Sequence, residues 1–447
     1  MAAMNQIWVK FLPRPLRNQL EGSPLLQNVV SNTGWLFADN LIRMGTGLLV
    51  SIWLTRYLGP EQFGFLSYAL TFVLLISPIA QLGLDAVIVR NIVHEPAKRH
   101  EILGSAFLLK LGGGLASCLL CLGLITLLRP GDTLTLLLVG ITAFGSLFQA
   151  FGVIDFWFQS QVRARYVAYA KITACLIACA IKAILILSQA SLVAFAWAGL
   201  ADIVLGAIGL VLVYRTNGQH LKDWRGTGKM ARELLRDSWL LMLADLVMLA
   251  YLRIDKIMIG EMTDAAQLGI YAVAALIAES LLFIPVVVSL SIFPGVVEAR
   301  IKDEELFHAR LQRYYNWMVL LGYGVALPVT LAAGWLVPLL FGPTYGAAAP
   351  MLIGLVWAGI FLNLTTARSY YLTAVNLPRL HFITDLLGCG TNIILNYCLI
   401  PHYGAMGAVV ASMISYCFAA YVLCFLFKPL HKTGAMMTKA LVYPKVW

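Results

Sequence analysis

A chain of 447 residues, 60% hydrophobic and only 12% charged, is unlike a soluble domain, where about 45–50% apolar and about 25% charged residues are usual. Its formal net charge of +10 does not point to nucleic acid, because Lys and Arg collect in every second loop between apolar blocks, the positive-inside pattern. Those blocks are long enough to cross a hydrocarbon core of roughly 30 Å as helices, and the alternating segments of roughly ten residues that build an outer-membrane barrel are absent. An all-α integral membrane protein is what remains.

In chain order, residues 1–30 read as a basic cytosolic arm. Lys10, Pro13, Arg14, Pro15 and Arg17 interrupt it, and no secretory signal core follows. Hydropathy and breaker residues then predict about twelve spans: 34–55, 65–84, 102–127, 134–156, 166–187, 192–213, 238–259, 268–293, 315–341, 348–373, 381–400 and 405–427. Residues 293–297 are a possible extension of the eighth. Basic residues gather in the even-numbered loops: Lys98 and Arg99, Arg163 and Arg165, Arg215 to Arg236, and Arg300 to Arg313. They gather again in the tail from Lys428 to Lys445, whereas the odd-numbered loops show only Arg56 and Arg129. Both termini are therefore expected in the cytosol.

The longest cytosolic loop, 214–237, is expected to link two six-helix lobes, 31–213 and 238–427, followed by a cytosolic tail, 428–447. An internal repeat supports this division. Gly34-Trp35-Leu36-Phe37-Ala38-Asp39 resembles Ser238-Trp239-Leu240-Leu241-Met242-Leu243-Ala244-Asp245, and Pro60-Glu61-Gln62-Phe63-Gly64 matches Ala265-Ala266-Gln267-Leu268-Gly269. An even helix count keeps such halves in one orientation, as in transporters built from parallel repeats. Pro78, Pro285 and Pro328 fall inside spans and can kink them. Gly112, Gly113 and Gly114 offer a smooth patch for helix approach. The eight cysteines lie almost wholly in apolar spans and read as packing.

Charges at span positions carry the functional argument. The acids are Asp39, Asp155, Asp202, Asp245, Asp255, Glu279 and Asp385; the bases are Arg43, Lys110, Lys171, Lys182, Arg253, Lys256 and Arg368. Each costs about 2.5–3.5 kcal/mol at a helix centre, so they must face one another or a water-filled cavity. Asp155, Lys171 and Arg368 lie near span ends, where snorkelling lowers that cost. Asp39 and Arg43 are four apart and are expected to pair, at about the depth of Lys110. The bland reading is a set of structural ion pairs. Because apolar packing stabilises a bundle at least as well, a charge-lined cavity between two lobes is the better account. No nucleotide-binding glycine loop is present, and His94-Glu95-Pro96 lacks the second His of a zinc motif. No cofactor, metal or catalytic domain is expected, although intramembrane lipid modification stays open on the residues alone.

Asn32-Thr33-Gly34-Trp35, then Thr55-Arg56-Tyr57-Leu58-Gly59-Pro60-Glu61-Gln62-Phe63-Gly64, and finally Leu82-Gly83-Leu84-Asp85 with Arg90, resemble the opening of bacterial polysaccharide-export flippases. That family includes the O-antigen flippases and falls within the multidrug/oligosaccharidyl-lipid/polysaccharide exporter superfamily. The resemblance implies two six-helix lobes that open alternately. It also implies a cargo of undecaprenyl-diphosphate-linked oligosaccharide moved to the external leaflet of the bacterial inner membrane, with a polysaccharide polymerase complex as a possible partner. On that reading Arg43, Lys110 and Arg90 engage the diphosphate from the cytosolic side. Arg253 and Lys256 also line the cavity, and Asp39, Asp245 or Glu279 binds a coupling ion. A drug/cation antiporter of the same superfamily, a membrane enzyme or polymerase, and a non-transporting scaffold are the alternatives. The balance of seven acids and seven bases disfavours the antiporter, whose cavity should be acidic.

Overall fold

The computed structural model describes residues 24–445, so the expected N-terminal arm lies outside the described residues as far as residue 23. Helix α1 (Pro24–Gln81) bends at Gly59, where φ is 71° and ψ is 173°, a conformation natural to a residue without Cβ. The turn expected at Gly59 and Pro60 is thus a single-residue kink joining the first two predicted spans. A left-handed turn at Leu82 and Gly83 leads to α2 (Asp85–His94), and α3 (Arg99–Leu128) follows. Asp132 caps α4 (Thr133–Phe148) by accepting the Thr135 amide at 3.0 Å, which satisfies a donor the first helical turn leaves open. Next come α5 (Val153–Ser160), α6 (Ala164–Leu187), α7 (Leu192–Thr216) and α8 (Gly228–Met262). Asp264 caps α9 (Ala265–Leu281) in the same way. Then α10 (Phe283–Lys302), α11 (Glu304–Phe341), α12 (Ala348–Ala374), α13 (Pro378–Tyr403) and α14 (Ala405–Cys417) run on. A π-helical turn, Phe418–Val422, precedes short α15 (Leu423–Leu426) and α16 (His431–Val442).

A helix lies over each of the twelve predicted spans. Ten stretches of the described residues are long and apolar enough to cross a membrane. The first of them, Asp39–His94, contains the Gly59 kink and holds two predicted spans. The seventh predicted span falls on α8, which is outside the ten because Asp245, Arg253, Asp255 and Lys256 interrupt it.

Contacts divide the chain into two compact units. One runs to Ser51 and resumes over Ile76–Leu243; the other comprises Ile52–Leu75 and everything from Ala244 on. The observed units differ from the expected lobes in two places. Residues 52–75 belong with the second unit, and the expected linker together with 238–243 belongs with the first. Its helical flanks shorten it to 217–227, and this strip is fastened down. The Arg225 amide donates to the His100 carbonyl at 3.1 Å, the Thr227 amide to Ser105 Oγ at 3.0 Å, and Trp224 Nε1 to the Tyr214 hydroxyl at 3.0 Å. Gly104 makes this possible, since a Cβ there would lie 2.6 Å from the Arg225 nitrogen. The core of this unit, including Leu84, Ile88, Leu103, Trp157 and Phe158, closes around the same end.

In the second unit the repeated strings meet reciprocally. Gly64 abuts the Ala265 carbonyl, and Gly269 abuts the Pro60 carbonyl. Pro60 and Ala265 are equivalent in the repeat, as are the two glycines, so the contact has a local two-fold character. A side chain at either glycine would overlap backbone, which explains the residue type at both. Tyr68 donates to Glu261 at 2.5 Å and Tyr345 to the Thr55 carbonyl at 3.0 Å, securing residues 52–75 to this unit. The expected tail is mostly the helix α16, whose Met437 and Ala440 join Tyr314, Tyr315, Met318 and Leu372 in the core.

Candidate functional site

In the first unit the centre is Lys110 on α3, 2% exposed. Its ammonium donates to Asp85 Oδ1 at 2.8 Å and Gln81 Oε1 at 2.7 Å, and sits 4.6 Å from the Phe156 ring centre. Gln81 in turn donates to Gln149 at 2.8 Å. The local sequence builds this site. Leu82 and Gly83 take left-handed φ values of 56° and 61° and stop α1 just after Gln81. Gly83 has backbone reasons to be glycine, since a Cβ would come within 2.5 Å of the Met242 amide nitrogen. The turn then sets Asp85 at the start of α2. Gly113, where a Cβ would lie 2.7 Å from the Ile79 carbonyl, lets α3 press against the end of α1 and bring Lys110 up to it. Gly114 does the same at Ser146, while Gly112 faces open space.

A second pair lies alongside. Asp155 accepts from Lys171 at 2.5 Å and from Gln159 at 3.0 Å, and Asp155 is also an electrostatic neighbour of Lys110. Asp39, 7% exposed, has Arg43, Lys171 and Asp155 as its charged neighbours. The expected Asp39–Arg43 ion pair does not form among the described residues: Arg43 is exposed and Asp39 Oδ1 has no hydrogen-bond partner. Helix spacing places the two on one face, but a neighbouring helix adds the half-buried Lys171, which spacing alone cannot reveal. Asp155 and Lys171, discounted as span-end residues, are thus integral to the network. Arg90 lies apart from it, 52% exposed at its side chain and paired with Asp237 at 2.5 Å.

In the second unit Glu279 on α9 is held by two cations of α8, Arg253 at 2.6 Å and Lys256 at 2.9 Å. One residue away from Lys256, Asp255 accepts the Tyr271 hydroxyl and its neighbour's backbone amide. A cavity of about 200 Å³ opens on this cluster, its polar lining being Arg253, Asp255, Tyr271, Glu279, Asn363 and Tyr416 and its remaining wall mainly aliphatic. Asp245, the repeat counterpart of buried Asp39, is exposed. Arg368, another charge discounted for its position, is 0% exposed. It donates to the Ala419 carbonyl, to the Ala420 carbonyl at 3.2 Å and to Thr384 at 2.9 Å, with Asp385 3.8 Å away. Asp85, Gln81 and Gln149 were not among the expected site residues. The signals for Asp85 were its membership of the 82–85 string that carries the family resemblance and its place directly after the turn that ends the second span.

A multi-pass helical membrane protein with polar networks inside both of its units is the class this fold and these sites define. The chain belongs to the family described as "Polysaccharide biosynthesis protein", which it matches over residues 29–299. It is 27% identical over 221 residues to a protein of Haloferax volcanii named "Probable flippase AglR", an alignment covering 48% of this chain and 44% of that one. The chain therefore spans less than half the length of that relative in the match. Its fold is shared with a structure of the "Lipid II flippase MurJ, inward closed conformation", at a TM-score of 0.74 and 13% identity, covering 93% of this chain and 91% of that one. An inward-facing multidrug resistance MATE family transporter of the MOP superfamily is similar at a TM-score of 0.71 and 14% identity, over 90% and 96% of the two chains. A MOP superfamily transporter from Pyrococcus furiosus gives 0.63 and 15%, over 92% and 96%.

Proposed function

We propose that this protein is a flippase that carries an undecaprenyl-diphosphate-linked oligosaccharide from the cytosolic to the external leaflet of a bacterial inner membrane by alternating access. Its product would feed O-antigen or exopolysaccharide synthesis, with a polymerase complex as the downstream partner and both chain termini in the cytosol. Family membership and the likeness to proteins named as flippases support the cargo class. The observation that carries the reading is Lys110. A buried ammonium is costly inside a bundle, and this one is held by a carboxylate that is 58% exposed at its side chain and so free to give way.

A diphosphate entering the membrane needs cations to replace its water, and charge-assisted hydrogen bonds are the strong ones available. Arg43 and Lys110 in the first unit, and Arg253 and Lys256 in the second, are the cations assigned to it. Arg90, on the surface beside Asp237, is assigned at most to its approach. Asp39 and Glu279 are the acids best placed to take up a coupling proton or cation; exposed Asp245 is the weaker candidate.

The test is leaflet exchange of a diphosphate-linked oligosaccharide on a polyprenol carrier, in liposomes holding the purified protein. Lys110→Met is expected to slow exchange about tenfold or more at equal folded protein, the worth of one lost charge-assisted contact. Exchange that matches the unaltered protein would remove Lys110 from the mechanism. No exchange with several glycans would shift the reading to a drug/cation antiporter or a scaffold.

A further inference from the structure

We infer that Glu279 is an internal stand-in for the cargo's phosphate: it occupies Arg253 and Lys256 when the cavity is empty and yields them to an entering diphosphate. This rests on the flippase reading and adds a device to it. The geometry is that of a shared acceptor. One oxygen of Glu279 lies 2.6 Å from Arg253 and the other 2.9 Å from Lys256, so a single carboxylate spans two cations as a phosphate would. The exposures fit exchange. Lys256 is 8% exposed at its side chain, whereas Arg253 and Glu279 are 25% and 30% exposed and line the cavity. The carboxylate can therefore swing away into that space while the cations stay.

Two uncompensated cations, Arg253 in the cavity wall and Lys256 next to the cluster, would be costly in the membrane, which is the physical reason to keep a counter-anion there. Asp255 on α8, the other acid of the cluster, is already engaged by Tyr271 and the Lys256 amide, which leaves Glu279 as the carboxylate that can exchange with an entering anion.

The experiment measures equilibrium binding of inorganic pyrophosphate, without metal ions, to the purified full-length protein in detergent. Glu279→Gln is expected to bind about tenfold more tightly than the unaltered protein, because one charge-assisted competitor is gone. Arg253→Gln combined with Glu279→Gln should lose the gain. Unchanged or weaker binding by Glu279→Gln, or no measurable binding by either protein, overturns the inference. If Glu279→Gln fails to fold, Glu279→Ser takes its place with the same tenfold gain expected, and Arg253→Gln alone should weaken pyrophosphate binding about tenfold; unchanged binding in either overturns the inference. Failure here is distinguishable from failure of the cargo. A tenfold gain without exchange of any glycan removes the cargo and keeps the anion site, whereas glycan exchange without the gain keeps the cargo and removes the role of Glu279.

Discussion

Lys110 and Arg368 are both buried cations, one in each unit, and they are held in opposite ways. Lys110 is met by the carboxylate of Asp85 and the amide of Gln81, side chains that can rotate away. Arg368 is met chiefly by the carbonyls of Ala419 and Ala420, within the π-helical turn Phe418–Val422. A π turn loosens the regular hydrogen-bond ladder, and the planar guanidinium supplies several donors to the oxygens around it. Backbone oxygens cannot leave without unwinding the helix. The difference separates a cation available to a ligand from one committed to the fold, a distinction that burial alone does not make.

The largest effect should come from Arg368. Arg368→Met strands buried carbonyls and leaves Asp385 without its nearest guanidinium, so a loss of about 3 kcal/mol is expected, seen as a lower melting temperature in detergent. Exchange per folded molecule should be nearly unchanged, and a protein that folds normally but has lost exchange would erase the contrast with Lys110. Arg368→Lys, which keeps the charge but not the planar fork, should fall between the two.

A smaller effect is expected at Asp85. Asp85→Asn should cost about 1–2 kcal/mol of stability, because Gln81 still holds the ammonium. In a double-mutant cycle with Lys110→Met the coupling should be about 1 kcal/mol. Strict additivity in that cycle would mean that Asp85 is not the partner that keeps Lys110 in place.

The smallest effect belongs to Arg90. Its pair with Asp237 is exposed on both sides, and exposed ion pairs are typically worth about 0.5 kcal/mol. Arg90→Gln should leave melting almost unmoved and exchange within about twofold. A loss as deep as that of Lys110→Met would place Arg90 in the binding machinery after all.

Much of this molecule was legible in the chain itself. Length and hydropathy located helices because a span needs a long apolar run, and the breakers marked their ends. The strings at 60–64 and 265–269 announced a repeat, and 32–35, 55–64 and 82–85 with Arg90 together carried the family resemblance. Most of the charges that meet inside the two units stood in the inventory of intramembrane charges as well, since a charge in an apolar run is visible wherever it points, but Asp85 did not.

What the sequence determined, then, is which residues must find partners; the tertiary structure decided which partners they find. Successive residues of a helix are turned roughly 100° from one another, so a small rotation or shift between packed helices exchanges one neighbour for another. That is why Asp39 has Lys171 as well as Arg43 among its charged neighbours, why Lys110 meets Asp85, and why Asp39 is buried while its repeat counterpart Asp245 is exposed. It is also why the segment 217–227, polar enough to read as a free linker, is bound to α3: the opening at Gly104 and the carbonyl of His100 come from another part of the chain. Composition fixes the need for compensation, because lipid provides none, whereas the helix packing alone supplies it.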